Sequence, residues 1–205
     1  EKLSGSQIYF RGNSISIKGE KYANEKVKDA IEYLIDRFKS DKKIDKNDFD
    51  LLFQVDKDPE VMKYLTLGKP STFEEIKKET MPRILQSYTN GENYGIFSAY
   101  LIKTNEYIGS FQFEPDKHIS NAIEIGWRLK KEYWGNGYAT EVACALVNKG
   151  IQLNKNIVAR AMIENLASIR VMQKAGLKFA EEFWGDYEPH SGSPDVRYEL
   201  SLTEF

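Results

Sequence analysis

Residues 122–141, AIEIGWRLKKEYWGNGYATE, pass from a strictly alternating run, through a loop with glycines at 135 and 137, into a helical pattern. Ile123, Ile125, Trp127 and Leu129 point to one face, and Ala122, Glu124, Gly126 and Arg128 to the other, the period of a strand with two unlike faces. A strand that feeds a helix N-terminus through glycines builds an anion site, because unpaired backbone N–H groups and the positive end of the helix dipole converge there. Glycine also lets the backbone approach a phosphate closely. Each dipole contact contributes only about 0.3–1 kcal/mol, so several amides must act together.

Three phosphate loops compete for this pattern. A Walker A loop ends in Gly-Lys-Ser/Thr, and GNGYAT offers no lysine there. A dinucleotide fingerprint needs glycine or alanine where Thr140 stands, and an acidic residue about twenty positions on, which is missing. The pyrophosphate loop of coenzyme A enzymes fits best.

The flanking sequence interleaves strands and helices, so the class is mixed α/β (α+β). Residues 7–18 suggest two short strands around Gly12-Asn13, and 24–39 a helix burying Val27, Ile31, Leu34, Ile35 and Phe38. Two helical pieces split at Asp58-Pro59 run on to Gly68. Another helix starts at Ser71 or Thr72 capping into Glu74-Glu75 and kinks at Pro82. A hairpin turns around Lys103-Thr104-Asn105, and a helix runs from Gly137 to Gly150. After it come a strand at 156–163, a helix from Ala167 to Ala175, and a closing strand pair.

Composition bounds the function. Apolar content of 41% and charged content of 29% are those of an ordinary globular chain, with no stretch of apolar residues long enough for a membrane span and no signal-peptide pattern at its start. The single cysteine, Cys144, excludes an internal disulfide framework and fits a reducing cytoplasm. Two distant histidines make a zinc site unexpected, so no metal is assigned. Residues 1–46 hold eleven Lys/Arg against eight Asp/Glu, and the remainder eighteen against twenty-three. An acidic body argues against nucleic acid and for a cationic partner.

The motifs Glu124-Ile125-Gly126-Trp127, Trp134-Gly135-x-Gly137-Tyr138-Ala139-Thr140-Glu141, Glu164-Asn165-x-x-Ser168 and Lys174-x-Gly176-Leu177 occur in that order. With Asp48-Phe49 and Asp58-Pro59-Glu60-Val61-Met62 upstream, the chain from about residue 45 resembles the GNAT superfamily of N-acetyltransferases. The branch it looks most like acetylates ribosomal-protein N-termini (RimJ/RimL-like). The resemblance implies a mixed, mostly antiparallel sheet flanked by helices, with a central parallel pair, 122–129 and 157–163, splayed open. It implies an acetyltransferase domain at 47–205 and an N-terminal extension at 1–46, a strand hairpin plus helix. Ile8–Phe10 would supply the sheet's first strand, with 20–44 inserted.

The resemblance further implies an acetyl-CoA-dependent enzyme that transfers acetyl directly to a primary amine through a tetrahedral intermediate. The backbone of Trp127, Arg128 and Leu129 would pair with the pantetheine like an added strand. Amides from Trp134, Gly135, Asn136, Gly137, Tyr138, Ala139 and Thr140 would hold the pyrophosphate, and Asn165 the pantetheine arm. A backbone N–H near Arg128–Leu129 would polarise the thioester carbonyl, worth about 3–4 kcal/mol. Glu124 is the expected general base, with an ion pair to Arg128 as its competing structural role. An α-amine (pKa about 8) costs only about 1 kcal/mol to deprotonate at pH 7, against roughly 4–5 for a lysine. The family's tyrosine acid falls at Met172, which cannot donate a proton, so Ser168 is the expected donor to the thiolate. Glu132 stands where Gln or Arg is common. Phe111, Phe113, Trp184 and Tyr187 are expected to flank the acceptor, with 186–195 as a loop beside them. The acceptor is a protein N-terminus or a small cationic amine, with no nucleic acid or membrane partner and a monomer or homodimer as the acting form. The competing reading, which rests on Met172, is a catalytically weak acyl-CoA-binding module.

Overall fold

The computed structural model describes residues 6–11, 14–19, 43–44, 48–185 and 192–202. The helix expected at 24–39 lies outside them, as does most of the 186–195 loop. Two units separate, Glu1–Lys42 and Lys43–Phe205. In the first, β1 (Ser6–Arg11) and β2 (Ser14–Gly19) form an antiparallel pair in register from Ser6↔Gly19 to Arg11↔Ser14.

In the second unit, α1 (Phe49–Asp56) and α2 (Pro59–Met62) precede a helical run made of α3 (Phe73–Glu75), a π-helical turn (Ile76–Thr80) and α4 (Met81–Ser87). Asp58 caps α2 by accepting from the Glu60 amide at 2.8 Å, and Thr72 and Glu75 complete a capping box. The kink expected at Pro82 is a π turn, in which the Met81 amide donates to Ile76 O. Pro82 has no N–H to continue the α ladder, so the chain inserts a residue before it.

Six strands then form one sheet in the order β3-β4-β5-β6-β8-β7, with ranges Gly95–Tyr100, Tyr107–Pro115, Ala122–Leu129, Asn156–Met162, Asp195–Leu200 and Lys178–Phe183. All pairs are antiparallel except β5 with β6. The parallel pair is in register only at Ala122↔Asn156, Ile123↔Ile157 and Glu124↔Val158, after which the strands part. Among the described residues, the edge of β3 is met by Lys43, bridged to Phe97, and Ile44 beside it is buried in the core.

α5 (Tyr138–Gln152) covers one face of the sheet, and α6 (Leu166–Lys174) lies beside it, where Cys144 approaches Lys174 O. α5 runs two residues past Gly150, the expected stop. A Cβ there would overlap Ile157 Cδ1, so Gly150 serves helix–sheet contact instead of ending the helix. α1 and α4 cover the other face, where Ile44, Leu52, Ile76, Ile84 and Ile96 pack together.

β4 and β5 approach unusually closely at Gly109, whose φ is +149°. A Cβ at that position would overlap the Arg128 carbonyl oxygen and crowd Leu129 Cα. Gly109→Ala should therefore lose about 3 kcal/mol or more in urea unfolding, since backbone, not a side-chain tip, must move. A loss below 1 kcal/mol would show that this strand pair has slack.

Candidate active site

The site grows from the parting of β5 and β6. β5 keeps its hydrogen bonds to β4 along its whole length, from Pro115↔Ile123 to Gly109↔Leu129. Beyond Glu124 its other edge has no partner strand among the described residues, so residues 125–129 present backbone donors and acceptors to the opening. The C-terminal end of β5 leads through the 3-10 turn Lys131–Tyr133 into the glycine loop, and that of β6 leads to Asn165 and α6. Both ends of the split thus bring their loops to one mouth.

The loop is shaped by its own contacts. The Trp134 indole donates to Leu129 O at 3.0 Å, tying the loop back to β5, and Asn136 Nδ2 donates to Trp134 O at 3.0 Å. Gly135 (φ +76°) and Gly137 (φ +87°) take left-handed backbone, and a Cβ on either would meet nothing within 4 Å. Conformation, not crowding, demands glycine there. Gly137 caps α5 without a side-chain acceptor, and the first helical bond runs from the Glu141 amide to Gly137 O at 3.0 Å. The amides of Tyr138, Ala139 and Thr140 therefore precede the ladder and face outward. Trp134 is 45% exposed at the rim.

Asn165 is the N-cap of α6, its Oδ1 accepting from the Ser168 amide at 3.1 Å. Ser168 is half-buried, one turn before Met172 on the same helix face. Met172 is 1% exposed and part of the core. Burial raises the pKa of the Cys144 thiol, consistent with packing and not with a nucleophile.

Glu124, Gly126 and Arg128 lie on the α1/α4 face, but their partners differ from those expected. Arg128 Nη1 donates to both oxygens of Asp56 at 2.7 Å, and Asp56 is 2% exposed. Glu124 is held by Arg160, whose Nη1 donates to Oε1 at 3.0 Å, and by Gln112, whose Nε2 donates to Oε2 at 3.2 Å. Arg160 also donates to Asp116, whose side chain is fully buried. Burial alone would raise the Asp116 pKa, but Arg160 and the amides of His118 and Ile119 outweigh it and hold the carboxyl below its usual value.

Beside this floor a cleft of about 280 Å³ opens between α1, the loop after α2, the π turn and β5, with Asp56, Glu79, Arg83 and Arg128 among its walls. Sequence reasoning missed this wall and the Asp56–Arg128 pair, because the partners are 72 positions apart and neither carries a local signal. Phe111 and Phe113, expected at the acceptor, are buried beneath α5 on the opposite face, because the pleat sends them with Ile125 and Trp127. Trp184 is exposed, Glu132 lies exposed in the 3-10 turn, and Tyr187 is outside the described residues.

The chain matches the acetyltransferase (GNAT) domain family over residues 42–178. It is 30% identical to the uncharacterised N-acetyltransferase p20 of Bacillus licheniformis over 165 residues, covering 78% of this chain and 90% of that one. The fold matches the spermidine N-acetyltransferase of Vibrio cholerae, solved with CoA and spermine, at a TM-score of 0.62 and 15% identity (77% of this chain, 92% of that one). It matches RimL, the ribosomal L7/L12 α-N-protein acetyltransferase in complex with coenzyme A, at 0.65 and 18% (78% and 92%).

Asp56→Ala should cost about 2–3 kcal/mol in urea unfolding, below the usual 3–5 for a broken buried pair because Arg128 keeps partial access to water. A cost near zero would mean that the pair does not hold α1 to β5.

Proposed function

The chain belongs to the GNAT acetyltransferases, and from that premise we propose that it moves acetyl from acetyl-CoA to the α-amine of a protein N-terminus or to a small cationic amine. The family makes it an acyltransferase with acetyl-CoA as co-substrate. The observation that carries the proposal is the parting of β5 and β6 above the glycine loop, which leaves an unpaired strand edge leading to exposed helix amides.

In this reading the free edge at Trp127, Arg128 and Leu129 takes the pantetheine as an added strand, and Asn165 helps to hold its arm. The amides from Trp134 to Thr140 take the pyrophosphate. A backbone N–H near Arg128–Leu129 polarises the thioester carbonyl for attack by the neutral amine. Ser168 stands at the mouth, half-buried, where it can give a proton to the departing sulfur. Glu124, held on both oxygens, sets the charge of the floor where the amine arrives.

The RimJ/RimL branch is part of the proposal, supported by the Asp48-Phe49 and Asp58-Pro59 motifs and the likeness to RimL in fold. The spermidine enzyme is as near in fold, so a polyamine is the second acceptor to test. We assign residues 1–46 as an extension and 47–205 as the acetyltransferase. The bridge from Lys43 to Phe97 favours moving that boundary back to residue 42. A cytoplasmic monomer or homodimer without nucleic-acid or membrane partners completes the reading. It is consistent with a single cysteine, and with no helix among the described residues being long and apolar enough to cross a membrane.

Melting is measured with acetyl-CoA, with NAD as control. Acetyl-CoA at 100 times its Kd should add about 2.7 kcal/mol of stability, and NAD nothing. Gly137→Ala should lose about 1–2 kcal/mol through strained backbone and shrink the acetyl-CoA shift. Thiol release with an N-terminal peptide and with spermidine then separates the two acceptor classes. No acetyl-CoA shift in the parent protein would defeat the reading.

A further inference from the structure

The sheet face that carries Glu124 holds a second carboxylate that its neighbours leave unengaged. Glu114 lies on β4 directly opposite Glu124, in register, so the two side chains share a face about 5 Å apart at their origins. Arg160 spends its Nη1 on Asp116 and Glu124, and Gln112 covers the remaining Glu124 oxygen. Among the described residues, no hydrogen bond or ion pair engages the Glu114 carboxylate.

A general base needs a free lone pair, a nearby proton to take and a suitable affinity for it. Glu124 meets the first condition only in part, since each oxygen already accepts a hydrogen bond and a proton taken there would compete with Arg160 and Gln112. Glu114 meets it, and is half-buried on the same sheet face, within electrostatic reach of Arg83 from the cleft wall. We propose that Glu114 is the group that receives the acceptor's ammonium and takes its proton. The proposal rests on the acetyl-transfer reading above.

The groups facing Glu114 are Arg83 from α4, Tyr88 from the turn after it, Lys117 from the loop after β4, and Glu124 from β5. Burial first, and then the like charge of Glu124, raise the pKa of the Glu114 carboxyl, while Arg83 and Lys117 oppose the shift. The direction suits a base, because a carboxylate of ordinary acidity returns a proton poorly near neutral pH. A carboxylate without a hydrogen-bonded partner also favours a cationic acceptor. In the step, the ammonium gives one proton to Glu114 and the freed nitrogen lone pair bonds to the thioester carbon. The carbon–sulfur bond then breaks, and the sulfur leaves with its electron pair. The second nitrogen proton reaches that sulfur by way of Ser168, and Glu114 releases its own to water.

The test compares the parent protein, Glu114→Gln and Glu124→Gln, with spermidine and an alanine-started hexapeptide as acceptors. The readouts are thiol release across pH and the melting shift with acetyl-CoA. In the parent protein, kcat/KM should fall on the acid side as Glu114 is protonated. Glu114→Gln should lose about 100-fold or more and lose that limb. Glu124→Gln should be slower while keeping the limb. A carboxyl raised in the fold adds stability only below its unfolded pKa, about 4.3, and loses that contribution as pH rises through the raised value. Glu114→Gln should therefore melt no lower than the parent at pH 7 and keep its acetyl-CoA shift, so lost activity is not lost folding. A Glu114→Gln protein that keeps the acid limb and a rate within about 3-fold overturns the proposal. If neither acceptor reacts with the parent protein while acetyl-CoA still raises its melting point, the acceptor reading fails on its own. Glu114 is then judged by the enzyme's hydrolysis of acetyl-CoA, where water stands in for the amine. A fall in Glu114→Gln supports the proposal, and unchanged hydrolysis overturns it.

Discussion

Everything at the site depends on two parallel strands that pair for three residues and then separate. A sheet gains by continuing its ladder, so an interrupted ladder in mid-sheet leaves backbone groups that need another partner. β4 holds β5 along its full length and β8 holds β6, so each strand is fixed from outside while the gap between them stays open. Charged contacts reinforce the two banks. Arg128 ties the far end of β5 to α1 through Asp56, and Arg160 ties β6 to Asp116 beyond β4 and to Glu124 on β5 where the split begins.

Charges this deep are costly to desolvate, and they are tolerated because nearly all are matched. Asp56 and Asp116 are enclosed and each accepts from a guanidinium. The π turn contributes to the same region. By inserting a residue ahead of Pro82 it turns Glu79, Thr80 and Arg83 together toward the cleft. The two faces of the sheet consequently divide their work. The α5 side is apolar and rigid, with Phe113 and Ile157 sealed beneath the helix, while the α1/α4 side carries the polar floor and the cleft.

The alternation of residues 122–129, the glycine loop and the Asn165 cap are local patterns, set by pleat period, left-handed backbone and an Asx side chain, and each was legible before any coordinates. Boundaries drifted where tertiary contact overrode local preference, as at Gly150, which serves the approach of Ile157 instead of stopping a helix. Phe111 and Phe113 were misplaced for a related reason. Aromatics on a strand show that a face is buried, but not whether helix or ligand covers it.

Sequence by itself determined the family, the strand–loop–helix unit and the faces of β5, because these follow from spacing within a few residues. Only the tertiary structure decided the pairing of charges across them. Arg128 chose Asp56 over Glu124, Glu124 chose Arg160, and among the described residues no hydrogen bond or ion pair engages Glu114. Those outcomes depend on which side chains meet across strands and helices tens of residues apart, and no periodicity encodes that distance.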